Sequence, residues 1–495
     1  MPNKSSYRSI FKSTSLFGGV QVFNIIITII RGKFVAVLLG PAGMGINGLF
    51  MTTLQMLQNI TNLGLPQSAV RDIASSSNDP EKIAVTYTVF KRWIWFTALL
   101  GGGITFFGAS FLSEYVFQND SYTWAFRLLS VTFIFAALSG GIYTLLRGLR
   151  RLKALASANI LGSLAGLLAA VPLFYFFGVQ GIVPAILATA LANFAIAIFF
   201  RRREVKIGRV DISYRQTFVR GIDMAKLGVS LSASMLMASG VSFVILTFIN
   251  RQGSEAEVGL YNAGLTITNT YVGLVFTALA TDYFPRLAEK INLKTSEWKQ
   301  IVHQQLELML LILAPLLVLM ITTAPIFIEI LLSAQFLSVI PYLLWAVLGV
   351  FLKAPVWAIG YIFIASGNNR LFLLTEVSAV LIRLGLNLAL FNYFGIEGLG
   401  IALGVSYLIS FCVLLAVINR VYGFYFSSSQ WKLIFQLFIL ILGTTLFAKY
   451  LAYPWAYLSG AFFFFIVSVF SLRKLNQLMD VVAAIRDLTA RFRKR

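Results

Sequence analysis

Apolar residues run along this chain in blocks of about twenty, separated by short polar segments. A helix needs about 20 apolar residues to cross a roughly 30 Å hydrocarbon core. On that measure fourteen spans are expected, over 14–39, 45–65, 92–112, 124–146, 154–177, 180–200, 224–249, 258–280, 304–332, 338–365, 371–394, 398–419, 432–449 and 455–472. A membrane β-barrel would show short alternating segments, so continuous blocks exclude it. The expected fold is an all-α polytopic membrane protein of about fourteen transmembrane helices.

Composition narrows the function class. Of 495 residues, 58% are hydrophobic and 12% are charged, whereas soluble domains carry about a quarter charged residues. A water-soluble enzyme is thereby excluded. The net charge of +21 would suggest nucleic acid in a soluble protein. Here its distribution points elsewhere. On the N-terminal side of the spans lie 33 Lys and Arg, against only Arg251 and Lys449 on the other, with five inside spans. That asymmetry places both termini in the cytoplasm and makes the membrane surface, not nucleic acid, the partner of the charge. The first block lacks a small-residue cleavage pattern and reads as a retained span. Cys412 is the single cysteine and His303 the single histidine, so neither a disulfide nor a His-rich metal site is expected. His303 and Glu307 stand at i and i+4 but read as a solvated helix face. No cofactor is implied.

The chain also carries an internal duplication. Phe177-Gly178-Val179-Gln180-Gly181-Ile182 reappears 217 residues later as Phe394-Gly395-Ile396-Glu397-Gly398-Leu399. Asn47 and Arg71 match Asn262 and Arg286 at an offset of 215, and Gly148 and Arg151 match Gly367 and Arg370 at 219. Two six-span halves starting on the same side form parallel repeats, with a substrate site expected between them. The expected organisation is an N-terminal lobe over 1–200, a basic cytoplasmic linker over 201–223 and a C-terminal lobe over 224–420. Two additional spans follow over 421–472, then a basic amphipathic tail over 473–495.

Polar residues inside spans are costly and tend to face a cavity. Gln21, Asn24, Thr28 and Arg31 follow a 3-4-3 spacing that draws one stripe along a helix. Asn47, Gln55, Gln58 and Asn62 fall within about 80° on a helical wheel, and Asn262, Thr266, Asn269 and Thr277 repeat the pattern. The alternative for the small polar residues is interhelical hydrogen bonding. Lys353 and Glu376 either pair with each other or serve a substrate, and Arg383 stands on the face of Glu376. Cations grip a diphosphate through charge-assisted bonds, and amides match sugar hydroxyls. The candidate diphosphate-binding residues are therefore Arg31, Lys353 and Arg383. Gln21, Asn24, Gln55, Gln58, Asn62, Asn262 and Asn269 are the candidates for glycan binding.

Several segments carry a family resemblance: Leu39-Gly40-Pro41-Ala42-Gly43-Met44-Gly45, Asn62-Leu63-Gly64-Leu65-Pro66 leading to Ala69-Val70-Arg71, the Leu146-Arg147-Gly148-Leu149-Arg150 loop and the Phe-Gly-x-x-Gly turns. Over residues 10–420 the chain resembles the Wzx-type O-antigen and polysaccharide translocases of the multidrug/oligosaccharidyl-lipid/polysaccharide exporter superfamily. The resemblance implies two six-helix bundles in a V, in the bacterial inner membrane. It also implies that polyprenyl-diphosphate-linked repeat units are flipped from the cytoplasmic to the outer leaflet by alternating access, with Arg31 among the basic cavity residues. Polysaccharide polymerase and assembly proteins are the implied protein partners. A drug/cation antiporter of the same superfamily is the rival reading. The two extra spans are similar to those of the peptidoglycan lipid II flippases, which makes lipid II a second candidate cargo.

Overall fold

The computed structural model describes residues 4–76, 79–205, 207–208, 210–293, 295–452 and 454–478, with side chains from Phe23 onward apart from those of Tyr271, Leu274 and Thr281. The tail beyond Leu478 and the side chain of Gln21 lie outside the described residues. Among the described residues every regular element is helical. The first nine helices are α1 (Lys4–Thr61), α2 (Leu65–Ser75), α3 (Pro80–Phe107), α4 (Ala109–Phe117), α5 (Thr123–Leu129), α6 (Thr132–Gly148), α7 (Leu152–Phe177), α8 (Ile182–Glu204) and α9 (Tyr214–Gln252). There follow α10 (Glu255–Leu265), a π-helical turn (Thr266–Tyr271), α11 (Gly273–Asn292), α12 (Glu297–Thr322), α13 (Ala324–Leu331), α14 (Ile340–Ala365), α15 (Asn369–Tyr422), α16 (Ser428–Tyr450) and α17 (Trp455–Leu478).

Ten of these helical stretches are long and apolar enough to cross a membrane, or eleven if α3 and α4, bent by 65° at Gly108, form one span. The chain is thus a multi-pass helical membrane protein. Fourteen apolar blocks outnumber these stretches because three stretches hold two blocks each: 23–61, 152–204 and 369–422. Each of the three is interrupted by a glycine at positive φ, namely Gly40 (65°), Gly178 (54°) and Gly395 (56°).

The turn at Gly178 and that at Gly395 have the same construction. Three residues later the chain passes so close to the preceding helix that a Cβ on Gly181 would overlap the carbonyl oxygen of Leu173. One on Gly398 would overlap that of Leu390. All these equivalences share the offset of 217. At Gly178 and Gly395 the positive φ is combined with ψ of −130° and −138°, a backbone region that side chains avoid at a cost of about 1–3 kcal/mol. Gly178→Ala and Gly395→Ala are each expected to lower stability by about that amount, read as similar falls in the thermal midpoint of purified protein in detergent.

The same register corrects one expected equivalence. Arg150 has φ 54° and Gly367 φ 71°. The amide after each donates to a carbonyl five residues back, Arg151 N to Leu146 O at 2.8 Å and Asn368 N to Phe363 O at 2.9 Å. Backbone geometry therefore pairs Arg150 with Gly367, at 217, and not Gly148 with Gly367 at 219. Each turn holds a single glycine, Gly148 in one and Gly367 in the other, and matching them by residue type gives the longer offset.

The chain divides into two compact units, one running to Gly259 together with Leu331–Ser333, the other comprising Leu260–Ile330 and Ala334 onward. In the first unit, α9 is anchored to α3. The Arg92 guanidinium donates to Ile212 O (2.9 Å) and to Thr217 Oγ1 (2.7 Å), and Trp93 Nε1 donates to Thr217 O at 3.1 Å. In that unit, too, a Cβ on Gly45 would overlap Glu255 O, and one on Gly259 would overlap Pro41 O, so α1 and α10 meet backbone to backbone. Small residues permit such approach in membranes.

The second unit packs α12, α14 and α15 together and docks the extra helices upon them. Lys449 of α16 pairs with Glu397 in the second Phe-Gly-x-x-Gly turn. The same carboxylate accepts from Trp345 Nε1 of α14 at 2.6 Å, and Thr445 Oγ1 donates to Leu344 O at 3.2 Å. These bonds fix α16 against the repeat.

Candidate functional site

A cation-bearing cavity lies wholly within the second unit, between α14 and the two arms of α15. Its volume is about 300 Å³. From α14 come Lys353, Trp357 and Tyr361, at i, i+4 and i+8 on one face. The first arm of α15 contributes Glu376 and Arg383, and the second arm Tyr407 and Ser410. Two cations thus share the space with one carboxylate, against aromatic and hydroxyl-bearing walls. An anion with hydroxyl substituents is chemically matched to such a lining.

The Lys353–Glu376 ion pair, one of the two sequence alternatives, does not form among the described residues. Lys353 turns instead toward α11 and the π-turn. Its Nζ lies 3.5 Å from Asn269 Oδ1 and 5.2 Å from the centre of the Phe276 ring. The two side chains border one cavity from different helices without meeting, and a lysine surrounded by an amide and a ring retains donor capacity. Asn269 therefore stands beside Lys353.

Behind Arg383 the helix is held by buried polar contacts. Asn387 Nδ2 donates to Arg383 O at 2.7 Å, and Tyr261 OH lies 3.5 Å from Asn387 Oδ1. The rings of Tyr261 and Tyr342 meet edge to face at 5.7 Å.

A second, smaller cavity of about 120 Å³ lies in the first unit, where Gln58 and Asn62 of the α1 stripe face Thr97 of α3 and Phe133 of α6. Part of the amide inventory is already engaged locally. Asn62 Oδ1 accepts from Gly64 N at 2.8 Å and shapes the turn into α2. Gln55 Nε2 donates to Asn59 Oδ1 at 3.1 Å. Asn24 Oδ1 accepts from Ser163 Oγ at 3.2 Å, which ties α1 to α7. Arg31 is half-buried on α1 and forms no ion pair among the described residues.

Asn47 and Asn262, matched in sequence at an offset of 215, share a further property. Asn47 Oδ1 and Asn262 Nδ2 are buried without a hydrogen-bond partner. A buried polar atom left unpaired is costly.

The structure therefore sets Lys353 and Arg383 around one cavity of the second unit, with Asn269 beside Lys353, and Gln58 and Asn62 around one cavity of the first. It adds Trp357, Tyr361, Tyr407 and Ser410, none of which polarity or charge alone singles out. Helical spacing from Lys353 holds a signal for the first two, because 353, 357 and 361 fall on one face.

Comparison with known proteins places this geometry in context. A family model described as polysaccharide biosynthesis protein matches residues 34–341, more than half of the chain. The lipid III flippases of Escherichia coli (strain K12) and of Shigella flexneri are each 22% identical over 353 residues, covering 70% of this chain and 83% of theirs. Among solved structures, the lipid II flippase MurJ in an inward closed conformation has a TM-score of 0.70 at 12% identity, covering 95% of this chain and 100% of its own. An inward-facing multidrug resistance MATE family transporter of the MOP superfamily has a TM-score of 0.65 at 17% identity, covering 80% and 95%. These relatives are described as flippases or transporters, not as enzymes.

Proposed function

The chain belongs to the polysaccharide biosynthesis protein family, and from that premise we propose that it is a flippase for lipid-linked sugar precursors. Its cargo is a polyprenyl-diphosphate-linked O-antigen or polysaccharide repeat unit, taken from the cytoplasmic leaflet of a bacterial inner membrane and delivered to the outer leaflet. The observation that carries this reading is the cavity of the second unit. Lys353 and Arg383 supply two fixed positive charges for the diphosphate, while Asn269, Tyr407 and Ser410 offer partners for sugar hydroxyls. The polyprenyl tail stays in lipid. Arg31 and the amides of α1 form the corresponding polar track of the first unit, and alternating access exposes the cargo to each side in turn.

The charge of the cargo gives the movement a direction. An inside-negative potential favours outward transfer of an anion by about 2.3 kcal/mol per charge per 100 mV. The 33-to-2 distribution of Lys and Arg supports cytoplasmic termini and puts the basic ends of the helices where a cytoplasmic anion would be gathered.

The purified full-length protein is expected to move a fluorescent undecaprenyl-diphosphate oligosaccharide across the bilayer of liposomes, well above the rate in protein-free vesicles. Competition between an O-antigen-type glycan and lipid II separates the two candidate cargoes. A bilayer rate equal to that of empty vesicles, together with extrusion of a cationic dye by the same vesicles, would replace the flippase reading by that of a drug exporter.

A further inference from the structure

A second cation-lined cavity, in the first unit, has a different chemistry. It lies between α3, α6 and α8 and has a volume of about 180 Å³. Its charged lining residues are Lys91 and Arg201, and no carboxylate borders it. The guanidinium of Arg201 rests 5.8 Å from the centre of the Tyr87 ring. Neither cation forms an ion pair among the described residues. Apart from the Tyr87 phenol, the remainder of the lining is apolar, including Trp95, Phe194 and Ile198.

The position of the two charges along their helices is informative. Lys91 comes just before the apolar run of α3, and Arg201 just after the apolar run of α8. Both therefore sit at one boundary of the hydrocarbon belt, on the side that also carries Arg147, Arg150, Arg151 and Lys153. Trp95, 41% exposed one turn deeper, is of the type that sits at such interfaces. A paired cation site opening onto apolar surface at headgroup level suits an amphiphile with an anionic head. The lining lacks the amide, serine and threonine groups that a glycan requires, which sets it apart from the cavity around Lys353.

We propose that Lys91 and Arg201 hold the phosphate of an anionic glycerophospholipid, whose acyl chain lies along Trp95, Phe194 and Ile198. The site binds a resident lipid rather than the transported cargo. It fastens α3, α6 and α8 of the first unit at their basic ends.

Native mass spectrometry of the full-length protein in detergent, titrated with phosphatidylglycerol or phosphatidylcholine, tests this. A basic residue near an anionic lipid surface contributes about 1 kcal/mol, or about fivefold in affinity. Lys91→Gln or Arg201→Gln is expected to weaken phosphatidylglycerol retention about fivefold, and the double variant more than either alone, because the two cations share one phosphate. Phosphatidylcholine retention should not change, and Lys91→Arg should restore binding. Arg147→Gln, on the same side but outside this cavity, controls for general surface charge, and an unchanged thermal midpoint controls for folding. Wild-type retention of phosphatidylglycerol in the double variant would overturn the proposal. So would displacement of the lipid by millimolar inorganic phosphate, which would mark a plain anion site. Displacement by equimolar undecaprenyl phosphate would likewise overturn it, by marking the cavity as a cargo-loading site.

Discussion

Lys353→Gln and Arg383→Gln should each slow the flipping of a polyprenyl-diphosphate glycan about 10- to 100-fold in liposomes, and the double variant more than either alone. The magnitude follows from the type of bond. A hydrogen bond to a charged partner contributes about 1.5–3 kcal/mol, and each 1.36 kcal/mol on a barrier is tenfold in rate. The two cations border one cavity from α14 and α15, so their effects on a single diphosphate should be coupled and not simply additive. Lys353→Arg keeps the charge but replaces a compact ammonium with a broad fork, and it should retain more activity than Lys353→Gln. The measurement is the initial rate of glycan appearance in the opposite leaflet, normalised to protein reconstituted. Wild-type rates in the double variant would remove this cavity from the transport path.

Gly181→Ala and Gly398→Ala should each destabilise the protein by about 1–3 kcal/mol, the ordinary cost of forcing extra volume into a close-packed site. In both turns the added methyl would meet a backbone carbonyl, of Leu173 or of Leu390, and not a flexible side-chain end. Neither neighbour can rotate away. The two turns lie in different units, so the double substitution should cost about the sum of the single ones. Thermal or denaturant unfolding in detergent reads the effect. A large cost at one turn and none at the other would show that the second copy had relaxed away from the shared construction.

The glycine turns can be read from the chain, because the Phe-Gly-x-x-Gly hexapeptide recurs at a fixed offset and its glycines mark a helix break. Its reason is not readable from the chain. In the folded chain the first glycine is needed for its φ and the second for want of a Cβ. The Arg150–Gly367 equivalence shows the limit more sharply. Its signal is a shared backbone hydrogen-bond pattern, with two different residue types at positive φ, so residue identity favours the wrong register.

Sequence by itself determined the class of molecule: membrane-spanning, helical and biased to cations and amides within its spans. Those properties are one-dimensional, since the cost of placing charge or unpaired backbone in hydrocarbon acts on each segment wherever it packs. The tertiary structure decided which of those polar residues meet. Lys353 stands near Asn269 and not in a pair with Glu376, Asn24 bonds Ser163 of α7, and Asn62 folds back on its own turn. Such choices depend on the rotation and depth of each helix against its neighbours. Apolar periodicity leaves those free in a membrane, where lipid and protein are equally oily and close packing alone selects the interface.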